Sequence, residues 1–159
     1  MPIEPLAATH DLTNFDCGEP SLNDFLLAAL RHQGRDYGRT FVAVEDTPRV
    51  LGYYTITSGS VDPNAIPSST PKYPQIPSVL LARLAVDISA QRRGLGKELL
   101  LDALRLAQRL ADLVGVNVVA VDALHQQAKE FYLGFGFTQL LDDQYHLYLP
   151  MKKIRKLSL

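Results

Sequence analysis

The stretch from residue 79 to residue 114 constrains the fold most, because it joins a buried strand, a glycine-containing turn and a long helix. Residues 79–87 are almost continuously apolar, which is typical of a strand that is covered on both faces. After the turn, apolar residues recur at helical spacing and polar residues occupy the opposite side, so we expect a helix that packs one face on a core. The predicted apolar stripe consists of Leu100, Ala103, Leu104, Ala107, Leu110, Ala111 and Val114.

The turn between this strand and this helix, residues 91–96, has the composition of an anion-binding site. Gly94 and Gly96 let the backbone approach a ligand closely, because glycine has no Cβ. The helix that follows directs its unpaired N–H groups and the positive end of its dipole towards the turn. Arg92, Arg93 and Lys97 add full positive charges. The turn therefore predicts a site for a phosphate or a pyrophosphate.

Two familiar phosphate motifs do not account for this turn. The sequence has no G-x-x-x-x-G-K-[ST] string, and Leu99 stands where a dinucleotide-binding G-x-G-x-x-G pattern needs its third glycine. What remains is Q-R-R-G-L-G, a pattern that a simple tight turn from strand to helix would also satisfy. It resembles the acetyl-CoA pyrophosphate loop of the GNAT N-acetyltransferases, Q/R-x-x-G-x-G/A.

The N-terminal part of the chain predicts a strand, a helix and a hairpin. We expect a short edge strand within residues 1–14. Ser21 begins an S-x-x-D pattern that predicts a helix start, and Gly34 marks the end of that helix. Residues 39–45 and 50–57 are rich in β-formers on either side of a short turn, which predicts an antiparallel hairpin.

The remaining segments complete a mixed set of elements. Five prolines between residues 62 and 78 predict an irregular loop. Residues 117–122 predict a buried strand, parallel to the central one if the connecting helix is an ordinary crossover. Residues 126–134 predict a short helix, and residues 136–140 and 145–151 predict two further strands.

A second motif strengthens the resemblance to the GNAT family. Residues 128–137, A-K-E-F-Y-L-G-F-G-F, resemble the A-x-x-F-Y-x-x-x-G-F segment that closes the acetyl-CoA site in these enzymes. The order of the predicted elements agrees with the same family. The resemblance implies an α/β (α+β) GNAT acyl-CoA N-acyltransferase fold: a mixed, mostly antiparallel sheet with a central splayed pair of parallel strands and flanking helices. We expect residues 1–159 to form a single domain of this kind.

The resemblance also implies a site for the acetyl donor, acetyl-CoA. The backbone of the central strand would pair with the amides of the pantetheine arm, and the glycine turn would hold the pyrophosphate. An amine would then attack the thioester directly, without a covalent enzyme intermediate and without a metal. The residues implied for acetyl-CoA binding are Leu84, Ala85, Val86, Gln91, Arg92, Arg93, Gly94, Leu95, Gly96 and Lys97.

Tyr132 matches the position of the family's tyrosine general acid, which would protonate the departing thiolate. The alternative is that Tyr132 only packs beside Phe131 on its helix. No general base stands out, and a substrate amine with a low pKa would not need a strong one. The histidines qualify by their chemistry alone; they are His10, His32, His125 and His146.

The composition of the chain indicates in which cellular compartment the protein is expected. The chain has 159 residues and a single cysteine, Cys17, so an internal disulfide is excluded. We interpret Cys17 as a small, buried side chain rather than a nucleophile. No apolar run is long enough for a membrane span and the N-terminus lacks a signal-peptide pattern, so we expect no membrane association and a cytoplasmic location.

Further segments resemble the GNAT toxins of bacterial type II toxin–antitoxin systems, namely residues 15–26, residues 52–54 together with 59–61, and residues 81–87. The resemblance implies a toxin that acetylates the α-amino group of aminoacyl-tRNA and blocks translation. It also implies a ribbon-helix-helix antitoxin as partner and a homodimer. The amine of an aminoacyl ester has a lowered pKa, which agrees with the missing base.

Recognition of tRNA requires positive charge, whereas this chain has a net charge of −1 and those toxins tend to be more basic. Arg83 has an alternative role, the pairing of its charge with a carboxylate such as Asp87. Two other hypotheses stay open: a GNAT enzyme that acetylates a small-molecule amine or a protein amino group, and a non-catalytic interaction protein, which the intact Tyr132 disfavours. The candidate tRNA-binding residues are Arg31, Arg35, Arg39, Lys72, Arg83 and Arg92.

Overall fold

The structure is a computed structural model that describes residues 1–67 and 74–159. Within these residues, short 3-10 turns at Pro63–Ala65 and Ile88–Ala90 lie among the helices and strands. In chain order the longer elements are β1 (Ile3–Pro5), α1 (Pro20–Gly34), β2 (Arg39–Ala43), β3 (Gly52–Val61), β4 (Ile76–Val86), α2 (Leu95–Val114), β5 (Val118–Asp122), α3 (Gln126–Gly134), β6 (Thr138–Gln139), β7 (His146–Pro150) and α4 (Met151–Arg155).

The strands form a sheet in the order β1-β2-β3-β4-β5-β7-β6. The β1–β2, β2–β3, β5–β7 and β6–β7 ladders are antiparallel, whereas the β4–β5 ladder is parallel. This confirms the mixed, mostly antiparallel sheet with a parallel pair. The parallel ladder ends where Leu81 meets Val121, although β4 continues to Val86. The backbone groups of residues 82–86 therefore lie beyond the ladder, as a splayed strand requires.

The chain separates into two compact units, and the first comprises Met1–Thr57 and Ala82–Ala103. Its core lies between α1 and the β2–β3 hairpin, where Leu26, Val42 and Tyr53 are fully buried. Leu22, Leu26 and Ala29 recur at helical spacing, so α1 packs one face on this core. The Tyr53 hydroxyl fixes the contact, since it donates a 2.7 Å hydrogen bond to the Leu22 carbonyl.

The second unit comprises Ser58–Leu81 and Leu104–Leu159. Residues 118–121 of β5 are all buried, as expected for a strand in the middle of a sheet. Ala120 packs in a cluster with Leu140 and Tyr148 from the segments that follow. The predicted strand at 117–122 and the predicted helix at 126–134 are both confirmed.

The predicted helix cap at Ser21 is wrong. α1 begins at Pro20, and the preceding residue, Glu19, makes no side-chain cap hydrogen bond. The Glu19 carbonyl instead accepts hydrogen bonds from the N–H groups of Leu22 and Asn23. Proline is favoured at the first helical position because its φ already suits a helix and its missing N–H would have no partner there.

The predicted irregular loop at 62–78 also needs correction at both ends. The Asp62 carboxylate accepts the Asn64 N–H at 2.9 Å and opens the 3-10 turn at Pro63–Ala65. β4 already begins at Ile76. Pro77 cannot donate to a ladder, but its carbonyl accepts the Asn117 N–H at 2.9 Å, which is compatible with a strand end.

Two helix details differ from the sequence pattern. Val114, the last residue of the predicted apolar stripe, is 76% exposed because the final turn of α2 runs past the core. α4 was not predicted, since five residues are too few for a periodic signal; it buries Met151 and Ile154, which lie three residues apart. Within the described ranges, no helix has both the length and the apolar character needed to cross a membrane.

Candidate active site

The backbone of residues 88–98 builds the predicted anion site. Arg92 and Gly94 both adopt positive φ angles, of 64° and 79°, and this brings the turn directly into α2. The Glu98 N–H donates to the Gly94 carbonyl at 3.1 Å, so the N–H groups of residues 94–97 precede the intrahelical hydrogen bonds. N–H groups at a helix start that have no intrahelical acceptor make a site for an anion.

Charged side chains add to this site. Arg92, Arg93 and Lys97 are all exposed beside the exposed Gly94. Arg93 lies 4.0 Å from a carboxylate oxygen of Glu45, and both side chains are about half exposed, so the pair holds Arg93 only weakly. The donors and charges present therefore fit the diphosphate of a coenzyme.

Gln91 uses its side chain to hold the turn. Its Nε2 donates to the carbonyl of Val86 at 2.9 Å and to the carbonyl of Cys17 at 3.1 Å. The amide thus joins the end of β4 to the segment that precedes α1. That Gln91 binds acetyl-CoA stays a prediction. Its backbone is the part available for this contact, because the side-chain Nε2 already donates hydrogen bonds within the protein.

Asp87 is part of this site, although the sequence suggested it only as a possible partner of Arg83. It is 3% exposed and accepts hydrogen bonds from the N–H of Asp16 at 2.8 Å and from the N–H and hydroxyl of Ser89. Arg49 completes the set, with Nη2 at 3.2 Å from the carboxylate. Burial raises the pKa of Asp87, but the hydrogen bonds from Ser89 and Asp16 and the charge of Arg49 outweigh it, so the pKa is lowered overall.

The suggested pairing of Arg83 with Asp87 is therefore wrong. The Arg83 guanidinium lies over the ring of Phe25, 4.7 Å from its centroid, and donates to the carbonyl of Ala82. This cation–π contact directs Arg83 towards α1. The ion pair between Arg49 and Asp87 could not be predicted from the sequence, because the two residues are distant in it.

Tyr132 lies in α3 and is 6% exposed. Its ring makes edge contacts with Phe131 and Phe137, at centroid distances of 5.2 and 5.4 Å. Among the described residues, the hydroxyl has no hydrogen-bond partner. Burial raises the pKa of Tyr132 well above its ordinary value, so the phenol is protonated at neutral pH. A buried, neutral hydroxyl that no protein group uses has the state a general acid needs.

The histidines are engaged in ways that the sequence did not reveal. The His125 Nδ1 accepts the Ala128 N–H and caps α3. The His10 ring lies 2.7 Å from Glu4, and the His146 ring lies 3.2 Å from Asp142. His32 lies in the wall of a cavity. In residues 1–67 and 74–159 no cluster of histidine, cysteine and carboxylate side chains is arranged to hold a metal.

That cavity brings together two of the predicted tRNA-binding residues, Arg31 and Arg35. It lies in the first unit, has a volume of about 390 Å³ and is also lined by Phe25, Tyr37 and Thr57. In the described part of the chain neither arginine has an ion-pair partner. We call this space the arginine cavity.

Other predicted tRNA-binding residues are not placed like Arg31 and Arg35. Arg39 pairs with Asp36 at 2.5 Å and donates to the Gln33 carbonyl at 2.9 Å, so its guanidinium already has partners in the turn after α1, although the ion pair itself is exposed. Lys72 lies outside the described residues.

Cys17 is half-buried, and burial raises the pKa of its thiol, which agrees with a packing role.

Residues 36–139 match the family described as an acetyltransferase (GNAT) domain. The chain belongs to the GNAT acetyltransferase family. The match includes the β4–turn–α2 unit and α3, which are the two segments that carried the sequence resemblance. This GNAT chain is therefore an acetyltransferase.

Similar proteins indicate which GNAT enzymes it resembles over its length. A tRNA-acetylating toxin of Mycobacterium tuberculosis (strain ATCC 25618 / H37Rv) is 41% identical over 152 residues, which cover 92% of this chain and 90% of that protein. The structure of AtaT complexed with acetyl-methionyl-tRNAfMet is 35% identical, with a TM-score of 0.93 and 99% of each chain covered. A mutant AtaT toxin bound to the C-terminus of the antitoxin AtaR and acetyl-CoA is 34% identical, with a TM-score of 0.87, covering 99% of this chain and 97% of that one.

Proposed function

We propose that this GNAT enzyme is a toxin that transfers the acetyl group of acetyl-CoA to the α-amino group of aminoacyl-tRNA and so blocks translation. The observation that carries the proposal is the 41% identity, along 92% of the chain, with a tRNA-acetylating toxin. The arginine cavity supports it, because Arg31 and Arg35 line the cavity and, among the described residues, neither guanidinium group has an ion-pair partner, so both are available to phosphate.

Acetyl-CoA would supply an activated acetyl thioester. The N–H groups at the start of α2, with Arg92, Arg93 and Lys97 beside them, suit its diphosphate. The backbone of Leu84–Val86 lies beyond the β4–β5 ladder and suits the amides of its pantetheine arm. Gln91 holds the turn in place through Val86 and Cys17.

Tyr132 is the proposed general acid for the transfer. The amine nitrogen forms a bond to the acetyl carbon, the bond from that carbon to sulfur breaks, and the Tyr132 hydroxyl gives its proton to the sulfur. The nitrogen loses one proton to water, and the phenoxide recovers one from solvent. Burial raises the pKa of Tyr132, so transfer as the bond breaks is favoured over a separate step that leaves a buried phenoxide.

The acceptor amine determines whether a strong base is needed. An α-amino group has a reference pKa of about 7.7–8.0, and esterification of the neighbouring carboxylate lowers it further. A large share of aminoacyl-tRNA is therefore unprotonated at neutral pH. His125 uses Nδ1 to cap α3, which is consistent with a reaction that needs no histidine base.

The experiment that tests this proposal incubates the protein with labelled acetyl-CoA and a set of charged tRNAs. We expect label in the aminoacyl group, and none with the same tRNAs uncharged. Absence of label from every charged tRNA, in the presence of acetyl-CoA binding, contradicts the toxin proposal and leaves the GNAT assignment intact.

A second candidate function is the acetylation of a small-molecule amine or a protein amino group, and the slightly acidic net charge of −1 favours it. The same assay separates the two candidates if polyamines and a lysine-rich peptide are included. Label in either of these, with none in charged tRNA, supports the second function.

The proposal extends to partners and location. AtaT binds the C-terminus of its antitoxin AtaR, and we infer a comparable antitoxin for this chain, of the ribbon-helix-helix class. A reading frame for such a protein immediately upstream would support it. We also propose that the protein is a homodimer and is cytoplasmic. Analytical sedimentation of the purified protein measures its oligomeric state.

A further inference from the structure

We infer that Tyr37 is a stacking platform for the terminal adenosine of the tRNA acceptor end, with Arg31 and Arg35 placed for the phosphate that precedes it. The inference rests on the proposed function and names the part of the substrate that the arginine cavity recognises. It is carried by the exposure of Tyr37, by its fixed backbone and by the charge of the cavity.

Tyr37 is an exposed aromatic residue in a fixed position. It is 69% exposed, yet its N–H donates to the His32 carbonyl at 3.1 Å and its own carbonyl accepts the Thr57 hydroxyl at 3.2 Å. Its ring meets the ring of His32 edge-on, with 6.4 Å between the centroids. A large aromatic surface held open to solvent in this way is what an unpaired base can stack on.

The rings of the other aromatic residues that line the cavity already contact other rings or a guanidinium group. Phe25 lies between the stacked ring of Tyr53, with centroids 6.3 Å apart, and the guanidinium of Arg83, at 4.7 Å. His32 is half-buried between Phe25 and Tyr37. Among the described residues that line the cavity, Tyr37 is therefore the aromatic residue that offers an exposed ring face.

The charges of the cavity select a phosphate-linked ligand. Arg31 and Arg35 line it, and the described residues that line it include no carboxylate. Asp36, the nearest acid in sequence, is paired with Arg39 instead. An uncharged amino-acid side chain has no negative group to pair with two guanidinium groups. A nucleotide can stack its base on the aromatic ring and pair its phosphate with the guanidinium groups.

The size of the cavity agrees with this ligand. Sites that enclose small organic ligands measure about 300–1,000 Å³, and this one measures about 390 Å³. The lining residues also include Thr40 and Thr55, which are uncharged and whose hydroxyl groups hydrogen-bond to each other at 2.7 Å. A volume of this size suits one nucleoside.

The test measures direct binding of the dinucleotide cytidylyl-adenosine, which contains the terminal base and one phosphate. We expect the wild-type protein to bind it, and Tyr37→Leu to raise the Kd about tenfold, the usual effect of losing one stacked base. Tyr37→Phe is the matched control, because it keeps the ring; its Kd should stay within about twofold. Thermal unfolding of both variants confirms that they are folded.

The outcomes separate this inference from the proposed function. If the wild type labels charged tRNA but binds the dinucleotide no better than Tyr37→Leu does, the stacking inference is overturned and the proposed function stands. A Tyr37→Leu enzyme that changes its preference among amino acids, with an unchanged Kd for the dinucleotide, also overturns it, because the cavity then holds the aminoacyl side chain.

Discussion

The Arg49 guanidinium lies 3.2 Å from the buried carboxylate of Asp87, with Nη2 against Oδ2. The same carboxylate accepts the N–H of Asp16 and the N–H of Ser89. Three distant parts of the chain thus meet at the residue that follows β4 and precedes the anion-binding turn. Asp87 is a positioning residue, since it holds the turn and makes no contact that requires a ligand.

Asp87→Asn should lower the free energy of unfolding by about 1–3 kcal/mol, because an amide cannot accept all the donors that surround this carboxylate. The KM for acetyl-CoA should rise in the same variant, because the turn loses its fixed position. Urea unfolding and steady-state kinetics measure the two effects. The matched control is Glu45→Gln, which breaks the weak, half-exposed pair with Arg93 and should leave the unfolding free energy almost unchanged.

The same carboxylate predicts how stability depends on pH. The pKa of Asp87 is lowered in the folded state, so the stability it provides is fully present above the unfolded pKa of about 3.9. That stability is lost as the pH falls through the folded pKa. In acid unfolding curves, Asp87→Asn should therefore show a shallower decline below about pH 4 than the wild type. Parallel curves would contradict this assignment.

Gly94→Ala should weaken acetyl-CoA binding through the backbone. The φ of 79° is in the left-handed region, where a non-glycine residue costs about 1–2 kcal/mol, while an added Cβ would meet no atom within 4 Å. Gly115→Ala is a matched control, because Gly115 has a φ of 77° and equally open space but follows the far end of α2. Both variants should lose similar stability, and only Gly94→Ala should raise the KM for acetyl-CoA. Equal KM values in the two variants would refute the anion site.

Tyr132→Phe should lower kcat by about 10²–10⁴-fold, the usual contribution of a general acid, with little loss of stability. The ring contacts with Phe131 and Phe137 persist in the variant, and the hydroxyl has no partner among the described residues. Tyr148→Phe is the control, since Tyr148 is also buried and its pKa is also raised by burial. An unchanged kcat for Tyr132→Phe would exclude the assignment.

The pH profile of kcat should have no descending limb from Tyr132 below about pH 10. An ordinary phenol deprotonates near that pH, and deprotonation would remove the proton that the reaction needs. Burial raises the pKa of Tyr132, so this loss moves to higher pH. A decline between about pH 8 and 10 that disappears in Tyr132→Phe would mean that the hydroxyl is solvated.

The predicted tRNA-binding arginines should divide into two classes. Arg31→Gln and Arg35→Gln should each raise the KM for charged tRNA and reduce the slope of log K against log salt by about 0.7–1, because each removes one contact to phosphate. Arg39→Gln should change this slope little, since its guanidinium is held by Asp36 and the Gln33 carbonyl. Equal slopes in all three variants would show that the arginine cavity does not face the nucleic acid.

The sequence by itself determined the elements and their order wherever a pattern is local. The apolar run of β4, the Q-R-R-G-L-G turn and the helical stripe of α2 are contiguous, so their interpretation needed no tertiary information. The A-x-x-F-Y segment located Tyr132 in α3 for the same reason. Local signals failed where two of them compete, as at Ser21, where Pro20 begins the helix one residue earlier.

Only the tertiary structure decided how the charges are used. The sequence presents Arg31, Arg35, Arg39 and Arg83 as equivalent cations, but folding pairs Arg39 with Asp36 and lays Arg83 on Phe25. Arg31 and Arg35 remain unpaired among the described residues and line one cavity. The physical reason is that an ion pair or a ring contact depends on distance in space, which residues far apart in sequence acquire only when the chain packs.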